Sequence, residues 1–175
     1  MRIPIEGQPA DWFSWLSGTD PVKRKTATLI LGGLEPEDPV DPVSLGEGLK
    51  NSSKDIVFWT VIGLGRLGAR AQAFVPRLSE IVESYEGFGL RQAAILAITR
   101  IAPTHPHTKY ALLGALHDSS PFVRREALQA LIKVRPLSPS DLEEMSKLEN
   151  DGDETVARWA GIALANIRRS TSHAV

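Results

Sequence analysis

The sequence contains no cysteine. That absence excludes disulfides, thiol nucleophiles, cysteine zinc sites and iron–sulfur clusters together. Aromatic residues are sparse, at 6% of the 175 residues. Neither charge sign dominates, with 20 Lys and Arg against 21 Asp and Glu and a formal net charge of −1. Such a balance is not the bulk footprint of a chain that wraps DNA or coats an anionic membrane, and it leaves only a local patch for that purpose. Long apolar runs are missing too. The longest uncharged one, Ile56 to Gly65, is far too short to span a bilayer. The first residues, Met1 to Pro9, lack the apolar core of a signal peptide. A cytoplasmic location and no membrane partner are the resulting expectations. The apolar fraction, 42%, is sufficient for a packed core.

What the chain does have is a repeat. The stretch from Val123 through Ala127 and Leu131 to Val134 recurs from Lys23, Ile56, Leu90 and Val156, at intervals of 33, 34, 33 and 33 residues. Four residues after these anchors stand Ala27, Thr60, Ala94, Ala127 and Ala160. Eight after stand Leu31, Leu64, Ile98, Leu131 and Leu164; eleven after stand Leu34, Leu67, Ile101, Val134 and Ile167. Offsets 0, 4, 8 and 11 share one face of an α-helix, so each segment is predicted to be amphipathic and helical. The small residue at offset four lets a partner helix approach closely. Lys23 breaks the apolar anchor column, as expected of a first repeat that is frayed or serves as a cap.

Three residues before each anchor stand Asp20, Ser53, Gly87, Ser120 and Asp153, all of N-cap type. Pro21 and Pro121 follow two of them, at the helix position that tolerates proline best. Upstream of each cap lies a second apolar stretch: Trp12 and Leu16; Leu45 and Leu49; Val75, Leu78 and Val82; Leu112, Leu113 and Leu116; Leu142, Met145 and Leu148. The unit is helix, turn, helix. Leu34 to Ser44, rich in Pro, Asp and Glu, is expected to be a loop leading into a degenerate helix.

This pattern resembles the HEAT repeat and the HEAT-like repeats named from phycobilin lyases. Asp20-Pro21 with Arg24 and Leu31-Gly32, and Ser120-Pro121 with Val123-Arg124, Ala127 and Leu131, carry the resemblance. Leu90-Arg91 with Ala93-Ala94, and Val156 with Ala160 and Leu164-Ala165, repeat it more loosely. The resemblance implies an all-α, right-handed α–α solenoid of about five two-helix repeats, here spanning roughly 9–34, 42–68, 72–102, 105–135 and 138–169, in one domain with a flexible tail over 170–175. It further implies a ladder between turn aspartates and second-helix arginines. Arg24, Arg91 and Arg124 occupy that arginine column, and Val57 and Ala157 interrupt it.

Gly63-Leu-Gly65-Arg-Leu-Gly68 spells the dinucleotide-binding pattern G-x-G-x-x-G. It falls inside the repeat register, Pro76 interrupts the helix that should follow it, and no acidic strand end comes after. A helical interior is therefore expected, although each glycine costs about 1 kcal/mol of helix propensity. The four histidines, His105, His107, His117 and His173, lack metal-ligand spacing. Glu149 to Glu154 has the composition of a calcium loop without its ligand spacing, and coincides with a turn. No Gly-x-Ser-x-Gly elbow is present. No cofactor, metal or catalytic constellation is assigned, and the chain is not expected to be an enzyme.

In stacked helix pairs the second helices line the concave face. Offsets two, six, nine and thirteen are expected to point outward there. Offset two holds Lys25, Phe58, Gln92, Arg125 and Arg158; offset six holds Leu29, Ile62, Leu96, Gln129 and Ile162. The expected site is an apolar stripe with an arginine rim: Phe58, Ile62, Arg66, Leu96, Arg100, Arg125, Gln129, Arg158 and Ile162, with Trp59 and Trp159 at the core edge. If the stripe is exposed it would take a protein or peptide; the alternative, equally open from the sequence, is that offset six packs between neighbouring second helices. Two alternatives rest on the resemblance alone. One is a DNA-binding protein of the alkylpurine glycosylase type, disfavoured by the net charge and the acidic stretch Asp141 to Glu154. The other is a bilin-lyase-like modifying enzyme or its subunit. The oligomeric state is left open.

Overall fold

The computed structural model describes residues 4–134 and 136–172, the side chains of residues 171 and 172 excepted. Arg135, the end of the fourth expected repeat, and residues 173–175 with His173 lie outside the described residues. Among the described residues ten α-helices follow in order: α1 Pro9–Ser17, α2 Pro21–Gly33, α3 Pro42–Gly46, α4 Lys54–Leu67, α5 Val75–Ser84, α6 Phe88–Ile101, α7 Pro106–Ala115, α8 Pro121–Leu131, α9 Pro139–Lys147 and α10 Glu154–Ser172. The described residues contain no strand. Residues 170–172, expected in the tail, belong to α10.

Local chemistry starts these helices where the sequence punctuates them. Seven open with proline in the first turn. There φ is already helical and the missing N–H has no partner to lose. The five expected N-cap positions all precede second helices. Asp20 accepts from the amides of Val22 and Lys23, and Asp153 from those of Thr155 and Val156. Ser53 and Ser120 sit at the cap without using their hydroxyls on the backbone.

Odd and even helices pair: α1 with α2, α3 with α4, α5 with α6, α7 with α8 and α9 with α10. The even helices also stack in sequence, α2 on α4, α4 on α6, α6 on α8 and α8 on α10. The result is an all-α solenoid. Every residue at offsets 4, 8 and 11 is buried. The anchors Ile56, Leu90, Val123 and Val156 are buried with them, and Lys23 is exposed. The small offset-four residues are in the core, as close helix approach requires.

The glycine motif is helical. Gly63 and Gly65 lie within α4, and Gly68 ends it with φ +58°, a conformation that favours glycine. A Cβ on Gly65 would stand 3.0 Å from both Cα and Cβ of Ala97 on α6. Close packing of α4 on α6 therefore uses the very residue that a nucleotide site would have needed. Pro76 starts α5 rather than interrupting a longer helix.

The expected loop from Leu34 to Ser44 ends sooner, at the cap residue Asp41: Pro42 to Ser44 already belong to the five-residue helix α3, which continues as a 3-10 turn over Glu47–Lys50. The loop is held from the next repeat. Arg70 Nη1 donates to the carbonyls of Pro36 at 2.8 Å and Asp38 at 2.6 Å, and Nη2 to that of Val40 at 2.8 Å.

Candidate interaction face on the second helices

Two rungs of the expected ladder join the C-terminal repeats. Arg91 Nε and Nη2 donate to the Asp118 carboxylate at 2.6 and 2.7 Å. Arg124 Nε and Nη2 donate to Asp151 at 2.8 and 2.7 Å. Both are two-pronged pairs, the geometry that a planar guanidinium suits best. Each arginine also donates through Nη1 to a carbonyl six residues earlier, Tyr85 and Asp118 respectively. Each aspartate in turn accepts the amide two residues on, Ser120 or Asp153. Burial alone would raise the Asp118 carboxyl, but the Arg91 hydrogen bond, the Ser120 amide and two nearby guanidinium charges outweigh it and hold it below the usual range. Asp151 is likewise held low, chiefly by its hydrogen bond from Arg124. These arginines are thus consumed by structure.

The same bonds account for the acidic stretch from Glu149 to Glu154. Asp151 belongs to the ladder and Asp153 to the α10 cap. His105 Nδ1 accepts the amide of His107 at the start of α7, a turn role. His117 Nε2 stands 3.6 Å from Glu144. Among the described residues, no three His, Asp or Glu side chains converge as metal ligands would.

The residues of the expected face separate into three classes. Leu96 and Ile162, 38% and 39% exposed, are open apolar surface, as is Leu29. Phe58, Ile62, Arg125 and Gln129 are half-buried, and Phe58 and Ile62 pack on the core. Arg66, Arg100 and Arg158 are exposed. Arg125 lies over the Phe122 ring at 5.6 Å, and its Nε is buried without a hydrogen-bond partner. Row nine, expected to point outward, is instead buried at Gly65, which meets Ala97 of the neighbouring second helix, and at Thr99, whose hydroxyl donates to the Ile95 carbonyl of its own helix. Row ten is the open one. It carries Arg66 and Arg100, and also Lys133, which the sequence reasoning passed over.

A groove of about 330 Å³ runs across α6, α8 and α10. Leu96, Arg100 and Gln129 of the expected set line it, together with Glu126, Lys133 and Trp159. The repeat register could have found two of these. Offset three holds Trp59, Glu126 and Trp159, and a side chain one step from the core edge shows when its neighbours in the next helix are small. Glu126 is only 8% exposed, and its Oε2 accepts from Gln92 Nε2 at 2.9 Å. Phe58, Ile62 and Arg66 on α4, and Arg158 and Ile162 on α10, do not line this groove.

The family model described as HEAT repeats matches residues 88–165. Those residues are similar to HEAT repeats. They take in both rungs of the ladder and all of the groove, and the solenoid continues the HEAT-type pairing toward the N-terminus. No curated protein matches the chain in sequence. Among solved structures, a designed armadillo repeat protein in complex with the peptide (KR)4 is similar at TM-score 0.64 and 16% identity, over 89% of this chain and 80% of that one. A second designed armadillo repeat protein gives 0.60 and 16%, with the same coverage. An engineered protein gives 0.64 and 17%, over 90% of this chain and 80% of its own. The likeness is one of fold, a repeat solenoid of the kind typical of protein-interaction scaffolds. No described helix is long and apolar enough to cross a membrane.

Proposed function

We propose that the chain is an interaction module that binds a segment of another protein across the face of its second helices. The observation that carries this is the groove between α6, α8 and α10. It combines an open Leu96, the half-buried face of Trp159 and flanking polar groups in one concavity. A preformed site on stacked, well-packed helices binds without first ordering a loop, which lowers the entropic cost of association. A large aromatic beside an open leucine is the kind of anchor on which binding energy concentrates. One armadillo-type neighbour of the same fold was solved with a peptide bound, which agrees with a peptide as the partner here.

The test is a comparison of the partners captured by wild type, Leu96→Asp and Ile162→Asp. Both side chains are more than a third exposed, so both variants are expected to fold, with circular dichroism as the check. Loss of a partner by Leu96→Asp supports the groove. Retention of every partner by both folded variants sinks the reading.

A further inference from the structure

The net charge of −1 conceals a segregation. The second helices α2, α4, α6, α8 and α10 contain three acidic residues, Asp55, Glu126 and Glu154, against twelve Lys and Arg. The first helices and loops hold the acidic surplus. On the outward rows of the second helices the separation is complete. Rows two, six, ten and thirteen carry Lys25, Arg66, Arg100, Arg125, Lys133, Arg158 and Arg169 and no Asp or Glu at all.

Pairing separates the outward rows from the rest, for Lys54, Arg91 and Arg124 elsewhere on the second helices are paired. On the first helices and their turns, Lys50, Arg77, Lys109 and Lys147 are each bonded to a carboxylate. Among the described residues, Arg66, Arg100, Lys133 and Arg158 pair with none. Unpaired like charges on one face repel one another, and they create a positive potential that a partner of opposite sign relieves.

The cations also have an order. Rows two and ten carry the cations, three each, with Phe58 and Gln92 interrupting row two and Gly33 and Asn166 at the ends of row ten, and row six between them holds Leu29, Ile62, Leu96 and Ile162, broken only by Gln129. An apolar line with a cationic line on each side is complementary to a segment whose apolar side chains alternate with acidic ones. The groove adds a constraint. Glu126 at its floor is shielded from water and would repel a carboxylate pushed in beside it. An apolar side chain therefore enters the groove, and carboxylates stay at its edges near Arg100 and Lys133.

We infer that this face docks an acidic–apolar peptide segment, with an apolar anchor between Leu96 and Trp159 and flanking Asp or Glu side chains on Arg66, Arg100, Lys133 and Arg158. The inference rests on the interaction reading above and adds the chemistry of the partner. Nucleic acid also seeks cations, but it has no use for an apolar centre line, and phosphate-driven binding needs a continuous basic track.

The experiment is selection of a random short-peptide display library on the full chain at physiological salt, with Leu96→Asp as counter-selection. Peptides rich in Asp or Glu around Leu, Ile, Phe or Trp are expected. A synthetic winner should lose about tenfold in affinity on the Arg100→Glu/Lys133→Glu double variant, roughly 1.4 kcal/mol. Reselection on that variant should enrich Lys and Arg instead. Winners that depend on Leu96 but are basic or uncharged overturn the inference and leave the face itself standing. If no winner depends on Leu96, the face falls and the inference with it. A short DNA duplex is the remaining probe. Tighter binding of the duplex than of the winning peptide, with a steep salt dependence, would overturn the inference in favour of nucleic acid.

Discussion

The two halves of the solenoid are joined by different means. From α6 to α10 neighbouring repeats are tied by charged rungs, Arg91 to Asp118 and Arg124 to Asp151. In the N-terminal half the same column holds Arg24, whose Nη2 reaches the Gly18 carbonyl at 2.6 Å. Its acidic partner is missing, because the residue 27 positions on is Asn51 rather than aspartate. Asn51 still accepts the amide of Ser53, as Asp118 and Asp151 accept the amides of Ser120 and Asp153. The turn survives and only the charge is lost. Val57 then removes the next arginine altogether. In place of rungs, the N-terminal half uses Arg70 on three loop carbonyls and backbone contacts that only glycine permits. The segment that matches the HEAT model is the half that has the rungs. Repeat geometry thus tolerates two kinds of joint, a polar one recognisable in sequence and a steric one that is not.

That contrast can be broken experimentally, most forcefully by removing a rung. Arg124→Ala should cost about 3 kcal/mol, because it strands the Asp151 carboxylate in a site where it is nearly buried. Denaturant unfolding would measure it. A loss within experimental error of zero would mean that the rung is not a joint. A glycine contact comes next. The Gly48 Cα stands so near α4 and α1 that an added Cβ would overlap Thr60 Oγ1 and the Phe13 ring. Gly48→Ala should therefore destabilise by about 2 kcal/mol through overpacking. Thermal unfolding is the check, and an unchanged Tm would show that α3 is free to slide.

Acid should separate the halves. Asp118 and Asp151 have folded-state values below the ordinary 3.8, so the unfolded chain binds their protons more tightly. Their contribution is complete above about pH 4 and is lost as pH falls through the lowered values. Amide exchange near pH 3 should therefore rise first in α6 to α10. Equal loss of protection in both halves would contradict a charge-based joint on one side alone. The smallest effect is a gain. Asn51→Asp restores the missing carboxylate opposite an exposed Arg24 and should add about 0.5 kcal/mol. If it destabilises, the N-terminal joint is not a rung that lacks only its charge.

Much of the molecule was legible from the column pattern. Buried rows at offsets 4, 8 and 11 follow from helical periodicity, because one face of each helix must leave water. The cap positions and the proline starts follow from local chemistry that reads only a few residues at a time, and the arginine column was implied by the resemblance to HEAT repeats. The site was legible in part. Leu96, Arg100 and Gln129 meet in the groove as the rows suggested, but Phe58, Ile62 and Ile162 do not join them. Whether an outward residue is open depends on what the next helix places beside it. Gly65 is buried because Ala97 stands against it, and Lys133 is exposed in the turn after α8, one residue further along the chain than the row expected to face out.

Residue type and spacing along the chain are enough for the repeat, its register, its caps and the exclusion of cysteine chemistry. The resemblance also implied that Arg91 and Arg124 are spent on turn aspartates, but it took the packed helices to show that Arg66, Arg100 and Lys133 pair with no carboxylate among the described residues. The tertiary structure alone drew Glu126 and Trp159 into one groove. A charge is balanced by what lies across space from it, and in a solenoid that neighbour is about 30 residues away along the chain.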